Sequence, residues 1–141
     1  MPDNLDWHGE EAMDHVRRRA VGFLTRAAIT VTRRAKELLS VPGTAQGRSK
    51  KTGRYARVYG AARSKPGEPP RKQTGRLRAS VTYEIDERTL TARVGTNVKY
   101  GRYLELGTKR GIAPRPWLRR ALAECRAKID SLLSGAGGGT P

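Results

Sequence analysis

Residues 63–117 read RSKPGEPPRKQTGRLRASVTYEIDERTLTARVGTNVKYGRYLELGTKRGIAPRPW, and the fold turns on how this stretch is parsed. It opens with a loop punctuated by Pro66-Gly67-Glu68-Pro69-Pro70. Thr74 to Ser80 suits a short helical turn, with Thr74 as its N-cap and Leu77 facing inward. Val81-Thr82-Tyr83-Glu84-Ile85 and Thr89-Leu90-Thr91-Ala92-Arg93-Val94-Gly95 then alternate with period two. The short polar link Asp86-Glu87-Arg88 separates them, which is the pattern of a β-hairpin. Val81, Tyr83 and Ile85 would share one face of the first strand, and Leu90, Ala92 and Val94 the apolar face of the second. Tyr100, Tyr103, Leu104 and Gly107 recur at helical spacing, with Gly107 as a natural C-terminal stop. A loop ending in Pro114-Arg115-Pro116 closes the stretch.

Helices are expected on both sides. Upstream, Met13, Val16, Ala20, Phe23, Ala27, Val31, Ala35 and Leu38 recur every three or four residues, so residues 7–40 read as one long amphipathic helix. Its acids come first, where the helix dipole favours them, and Pro42-Gly43 stops it. A helix this long either crosses a small sheet of its own or also packs on a neighbouring subunit. Residues 42–73 are rich in Gly, Ser, Lys, Arg and Pro and read as an extended basic arm. Within it Tyr55, Val58 and Tyr59 offer a short apolar alternation. Downstream, Pro116 suits the first position of a last helix over 116–133. Leu118, Ala121, Leu122, Cys125, Ile129, Leu132 and Leu133 line its apolar face, and residues 134–141 read as a flexible tail. The fold class is α+β in a single domain, with helices packed on a small antiparallel sheet.

The chain has 141 residues and a formal net charge of +16, so a small core and a cationic surface are expected. The charge is uneven. Residues 1–14 hold five acids and no Lys or Arg, whereas residues 15–80 hold eighteen Lys or Arg against Glu37 and Glu68. A surface this basic suits a polyanion or an acidic protein partner. With Cys125 as the one cysteine, no internal disulfide can form. It falls on the apolar stripe of the last helix and reads as a core residue. The segment MPDNLDWHGEEAMDH lacks the apolar run of a signal peptide, and no stretch approaches the ~18 apolar residues of a membrane span. Synthesis in the cytoplasm and no membrane partner are expected.

No catalytic pattern is present: no Ser/His/Asp order, paired carboxylates, phosphate-binding loop or dinucleotide fingerprint. His8, Glu11 and His15 could share a helix face, but acids at a helix start are routine and no third strong ligand is near, so no metal or other cofactor is expected. Arg48, Lys50, Lys51 and Arg54 could grip nucleic-acid phosphates, sequence-blind and salt-sensitive, or form a solvated loop. Glu105 sits among hydrophobic neighbours in the short helix and could pair with an arginine of its own or an adjacent chain. As a surface pair it would orient rather than stabilise.

These motifs resemble a family. Ser64-x-Pro66-Gly67-Glu68-Pro69-Pro70 followed by Thr74-Gly75-Arg76-Leu77-Arg78-Ala79-Ser80 is similar to the first half of a signature in tail-component proteins of long-tailed phages. Val94-Gly95-Thr96-Asn97-Val98-x-Tyr100, Tyr103-Leu104-Glu105-x-Gly107-Thr108 and Arg115-Pro116-Trp117-Leu118 are similar to the second. The family is the gene-product-ten-like group of lambdoid-type phages, the neck or tail-completion proteins. The resemblance covers about residues 10–133. Gly101 stands where the family pattern has alanine, and Trp117 where phenylalanine is more usual. The resemblance implies a structural virion protein and not an enzyme. It implies a closed ring, of six copies, in the phage neck, assembled in the host cytoplasm around the channel through which DNA leaves. The expected partners are other copies of the chain, the stopper, tail terminator or tube, and genomic DNA in transit. Candidate interface residues are Arg54, Tyr55, Tyr59, Pro66, Glu68, Arg76, Tyr100, Tyr103, Glu105 and Arg115. Arg48, Lys50, Lys51 and Arg54 are candidates for the channel wall. Two other readings stand beside this one: a basic nucleic-acid-binding module, and a minor tail or capsid component.

Overall fold

The computed structural model describes residues 8–42, 45–48, 55–58 and 64–137. Helix α1 spans Gly9–Leu38, strands β1 Ala45–Arg48 and β2 Tyr55–Val58, helix α2 Arg76–Ser80, strands β3 Val81–Asp86 and β4 Thr91–Thr96, helix α3 Lys99–Leu106 and helix α4 Leu118–Gly137. The class is α+β, as the periodicities require. The basic arm contributes a small hairpin of its own, β1 paired antiparallel with β2.

The expected hairpin of the central stretch forms. Val81 lies opposite Thr96, Tyr83 opposite Val94, and Ile85 opposite Ala92. Asp86 builds the turn, its Oδ1 accepting the N–H groups of Arg88 and Thr89 at 3.0 and 3.2 Å. Leu90 departs from expectation. It sits in the turn at φ 50° and is exposed, rather than on the apolar face of β4. The turn needs a left-handed residue there, and the chain supplies it outside the ladder. The short helix α2 also begins differently. Gly75, at φ 79°, caps it, while Thr74 Oγ1 accepts the N–H of Arg76 at 3.3 Å from one residue earlier.

The core is small and sits at one end of α1. Val31, Ala35 and Leu39 meet Leu77, Val81, Trp117, Ala121 and Cys125. Helix α4 packs along the later part of α1, with the two helices linked by Arg34, which reaches Glu124 at 2.6 Å and Glu37 at 2.9 Å. These groups are well exposed, so the ion pairs contribute little beyond orientation. Cys125 lies in this seam with its Sγ 3.8 Å from the Thr30 carbonyl, and burial pushes its thiol up from the ordinary value. It is a core side chain.

Both apolar stripes are covered only in part. On α1, Ala27, Ala28, Val31 and Ala35 are buried, but Met13 and Val16 are exposed. On α4, Ala121 and Cys125 are buried and Leu118 and Ile129 half-buried, while Leu122 and Leu133 are exposed. For α1 the cause is length: it has 30 residues and α4 has 20, so α4 leaves the start of α1 uncovered. Helix α4 starts at Leu118, two residues after Pro116, and continues through Gly137. Residues 134–137, read from composition as tail, are therefore helical.

Candidate protein-interaction site

Segments far apart in sequence are stitched into one surface. The Pro/Gly loop at 64–70 lies against the loop before α4. The Gly67 N–H donates to the Pro114 carbonyl at 2.9 Å, and Arg115 Nε donates to the Ser64 carbonyl at 3.3 Å. The Arg115 N–H donates to the Leu104 carbonyl at 2.7 Å, fastening that loop to α3. On the other side, the Lys72 N–H donates to the Val41 carbonyl at 2.7 Å, which fixes residues 70–75 beside the end of α1.

Between these segments lies a groove of about 620 Å³. Leu39, Leu77 and Leu104 supply its apolar lining, and Tyr100, Tyr103 and Ile112 border it. Tyr103 is 51% exposed, so its ring is left largely uncovered by the chain. Arg71, Lys72, Arg76, Arg78 and Arg115 also line it, and among the described residues no Asp or Glu does. Glu68 approaches Arg71 at 3.9 Å outside the lining. A concave patch pairing exposed aromatic rings with arginines has the composition of interface hot spots.

Two glycines set the geometry. Gly107 ends α3 at φ 75°, its N–H donating to the Tyr103 carbonyl at 2.8 Å. A Cβ there would stand 2.8 Å from the Ile112 carbonyl and 3.0 Å from the Pro114 ring. Gly107→Ala should therefore lose roughly 2–3 kcal/mol, from backbone strain plus overpacking. The check is the urea midpoint at unchanged slope. Gly101 faces α2 so closely that a Cβ would meet Leu77 and Thr96 at 2.7 Å each. Glycine at 101 thus has a local packing reason.

Beneath the groove, Glu105 does something the sequence reading did not foresee. It is buried, at 8% exposure, so the pairing with an arginine of its own chain expected of it, met by Arg119, is not a surface pair. Its Oε2 accepts the N–H groups of Trp117 and Leu118 at 2.7 and 2.9 Å, and its Oε1 that of Arg119 at 3.0 Å. Arg119 Nε adds a further contact at 3.2 Å. The carboxylate thus caps α4 from another helix, satisfying N–H groups that have no partner within α4. The available signal was the absence of Ser, Thr, Asp or Asn at the Pro116-Trp117 helix start.

Of the expected interface residues, Arg76, Tyr100, Tyr103 and Arg115 line the groove, and Pro66 and Glu68 lie in the adjoining loop. Glu105 sits below it, its carboxylate occupied by its own chain. Arg48 and Tyr55 are Cα partners at one end of the β1–β2 ladder. Lys50, Lys51, Arg54 and Tyr59 lie outside the described residues. Among the described residues no cluster of His, Cys, Asp or Glu could hold a metal, and no helix is long and apolar enough to cross a membrane. His8 and Glu11 approach to 3.9 Å on an exposed helix start.

Comparison with known proteins adds one finding. A family described as HK97-gp10-like, "Bacteriophage HK97-gp10, putative tail-component", matches residues 1–107. The match takes in α1 to α3 and ends where α4's cap is supplied. No curated protein and no solved structure matches.

Proposed function

Because the chain belongs to the HK97-gp10-like family of phage tail components, we propose that it forms a closed ring at the head–tail junction. The ring, of six copies as the resemblance implies, completes the tail and joins it to the head connector around the DNA channel. The observation carrying this reading is the convergence of Arg76, Tyr100, Tyr103 and Arg115 on one basic, aromatic groove that the chain leaves open. A small core at one end of a long helix supports it, since such a protomer gains stability from neighbours. So does the β3–β4 sheet, which has two strands and no further strand beside it among the described residues.

The part is structural, as the tail-component family suggests. Where the ring faces the channel, contact with the genome in transit would be sequence-blind and salt-dependent. Deletion of the gene should leave heads and tails unjoined, or tails unfinished, in negative-stain images. Infectious particles of normal appearance lacking the protein would overturn the reading.

A further inference from the structure

Helix α1 extends well past the body of the protein. Every residue from Glu10 to Arg19 is exposed, including Met13 at 65% and Val16 at 57%. A lone helical segment of about three turns is marginal in water, and apolar side chains on it call for a cover. The end of this segment carries Glu10, Glu11 and Asp14, within the one stretch of the chain that holds five acids and no Lys or Arg. The groove at the opposite end of α1 carries Arg71, Lys72, Arg76, Arg78 and Arg115 without a lining acid among the described residues.

We infer that the acidic tip of α1 from one copy docks in the basic groove of the next. The inference rests on the ring reading and specifies its contact. Glu10, Glu11 and Asp14 would meet Arg76 and Arg78, and Met13 would lie against the exposed rings of Tyr100 and Tyr103, a favourable sulfur–aromatic contact. The chain cannot do this to itself. Glu10 and Leu39 stand at opposite ends of one helix, about 40 Å apart at 1.5 Å per residue. The docked tip therefore comes from a second copy. Tip and groove are different surfaces at different ends, so the contact is head-to-tail, the kind that closes into rings. DNA would complement the cations but would leave Met13 and Val16 uncovered.

The test is the assembly state of the full chain by sedimentation velocity and native mass spectrometry. Wild-type protein should form oligomers at low salt that dissociate as salt rises. Glu10→Lys/Glu11→Lys/Asp14→Lys should be monomeric. Arg76→Ala/Arg78→Ala should self-associate at least about tenfold more weakly. Mixed one to one, the two variants should give a dimer and nothing larger, because one competent tip and one competent groove remain. Wild-type oligomers that survive the triple tip substitution would overturn the docking and leave the ring with another interface. A wild-type chain that stays monomeric at every concentration would overturn both. A groove substitution that weakens binding of a duplex oligonucleotide but not self-association would assign the groove to phosphate instead.

Discussion

Trp117→Ala should cost about 3–5 kcal/mol, the range for emptying a large aromatic site in a core. Trp117 is 1% exposed and, with Val81, among the largest fully buried side chains. It packs where the end of α1, α2 and α4 meet. Its indole Nε1 also donates to the Gly101 carbonyl at 3.2 Å. Removing the ring therefore opens a cavity and takes the indole donor from the Gly101 carbonyl. Domains of this size are stable by about 5–15 kcal/mol, so the variant should retain little native population on warming. Trp117→Phe separates the two effects. It keeps most of the apolar volume and loses the indole bond, so it should cost about 1–2 kcal/mol. Urea titrations followed by far-UV circular dichroism would measure both. A Trp117→Ala protein within about 1 kcal/mol of wild type would mean that the core is assembled differently.

Local pattern carried most of the architecture. The period-two runs around Asp86-Glu87-Arg88 specify the β3–β4 hairpin, and Gly107 specifies the end of α3, because strand alternation and a left-handed helix stop are written in neighbouring residues. What depends on distant residues was not legible. The stripe on α1 shows which face is apolar, yet not that α4 covers only its later part. The same holds for Leu122 and Leu133 on α4, which share a face with buried Ala121 and Cys125 but not a neighbour. The groove was legible by parts. Arg76, Tyr100, Tyr103 and Arg115 were read as contact residues one by one, while their meeting depends on the bonds from Gly67 to Pro114 and from Arg115 to Ser64. Those bonds span about fifty residues, beyond the reach of any periodicity.

The capping of α4 by Glu105 is the strongest case of such distant dependence, and it sets the second large effect. Glu105→Ala should cost about 2–4 kcal/mol, combining loss of a cap with buried donors left without an acceptor. Glu105→Gln keeps one oxygen but turns an amide toward N–H donors, so it should fall between alanine and wild type. The carboxylate must also be ionised to accept from three N–H groups and Arg119 at once. Burial alone would raise its pKa. The bonds from Leu118, Trp117 and Arg119, with the Arg119 side chain, outweigh burial and hold it below the ordinary carboxylate value. A lowered folded-state pKa gives stability that is present in full above the unfolded value, about 4.3. That stability is lost as pH falls through the folded value. Wild-type stability should therefore drop more steeply below about pH 4.3 than that of Glu105→Gln, and the two curves should converge in acid. Asp86 and Glu124 are also held low, but both are exposed and present in both proteins, so their effects cancel in the comparison. Parallel curves from neutral pH into acid would mean that α4 does not depend on this carboxylate. The groove above it would then owe its shape to the loop bonds alone.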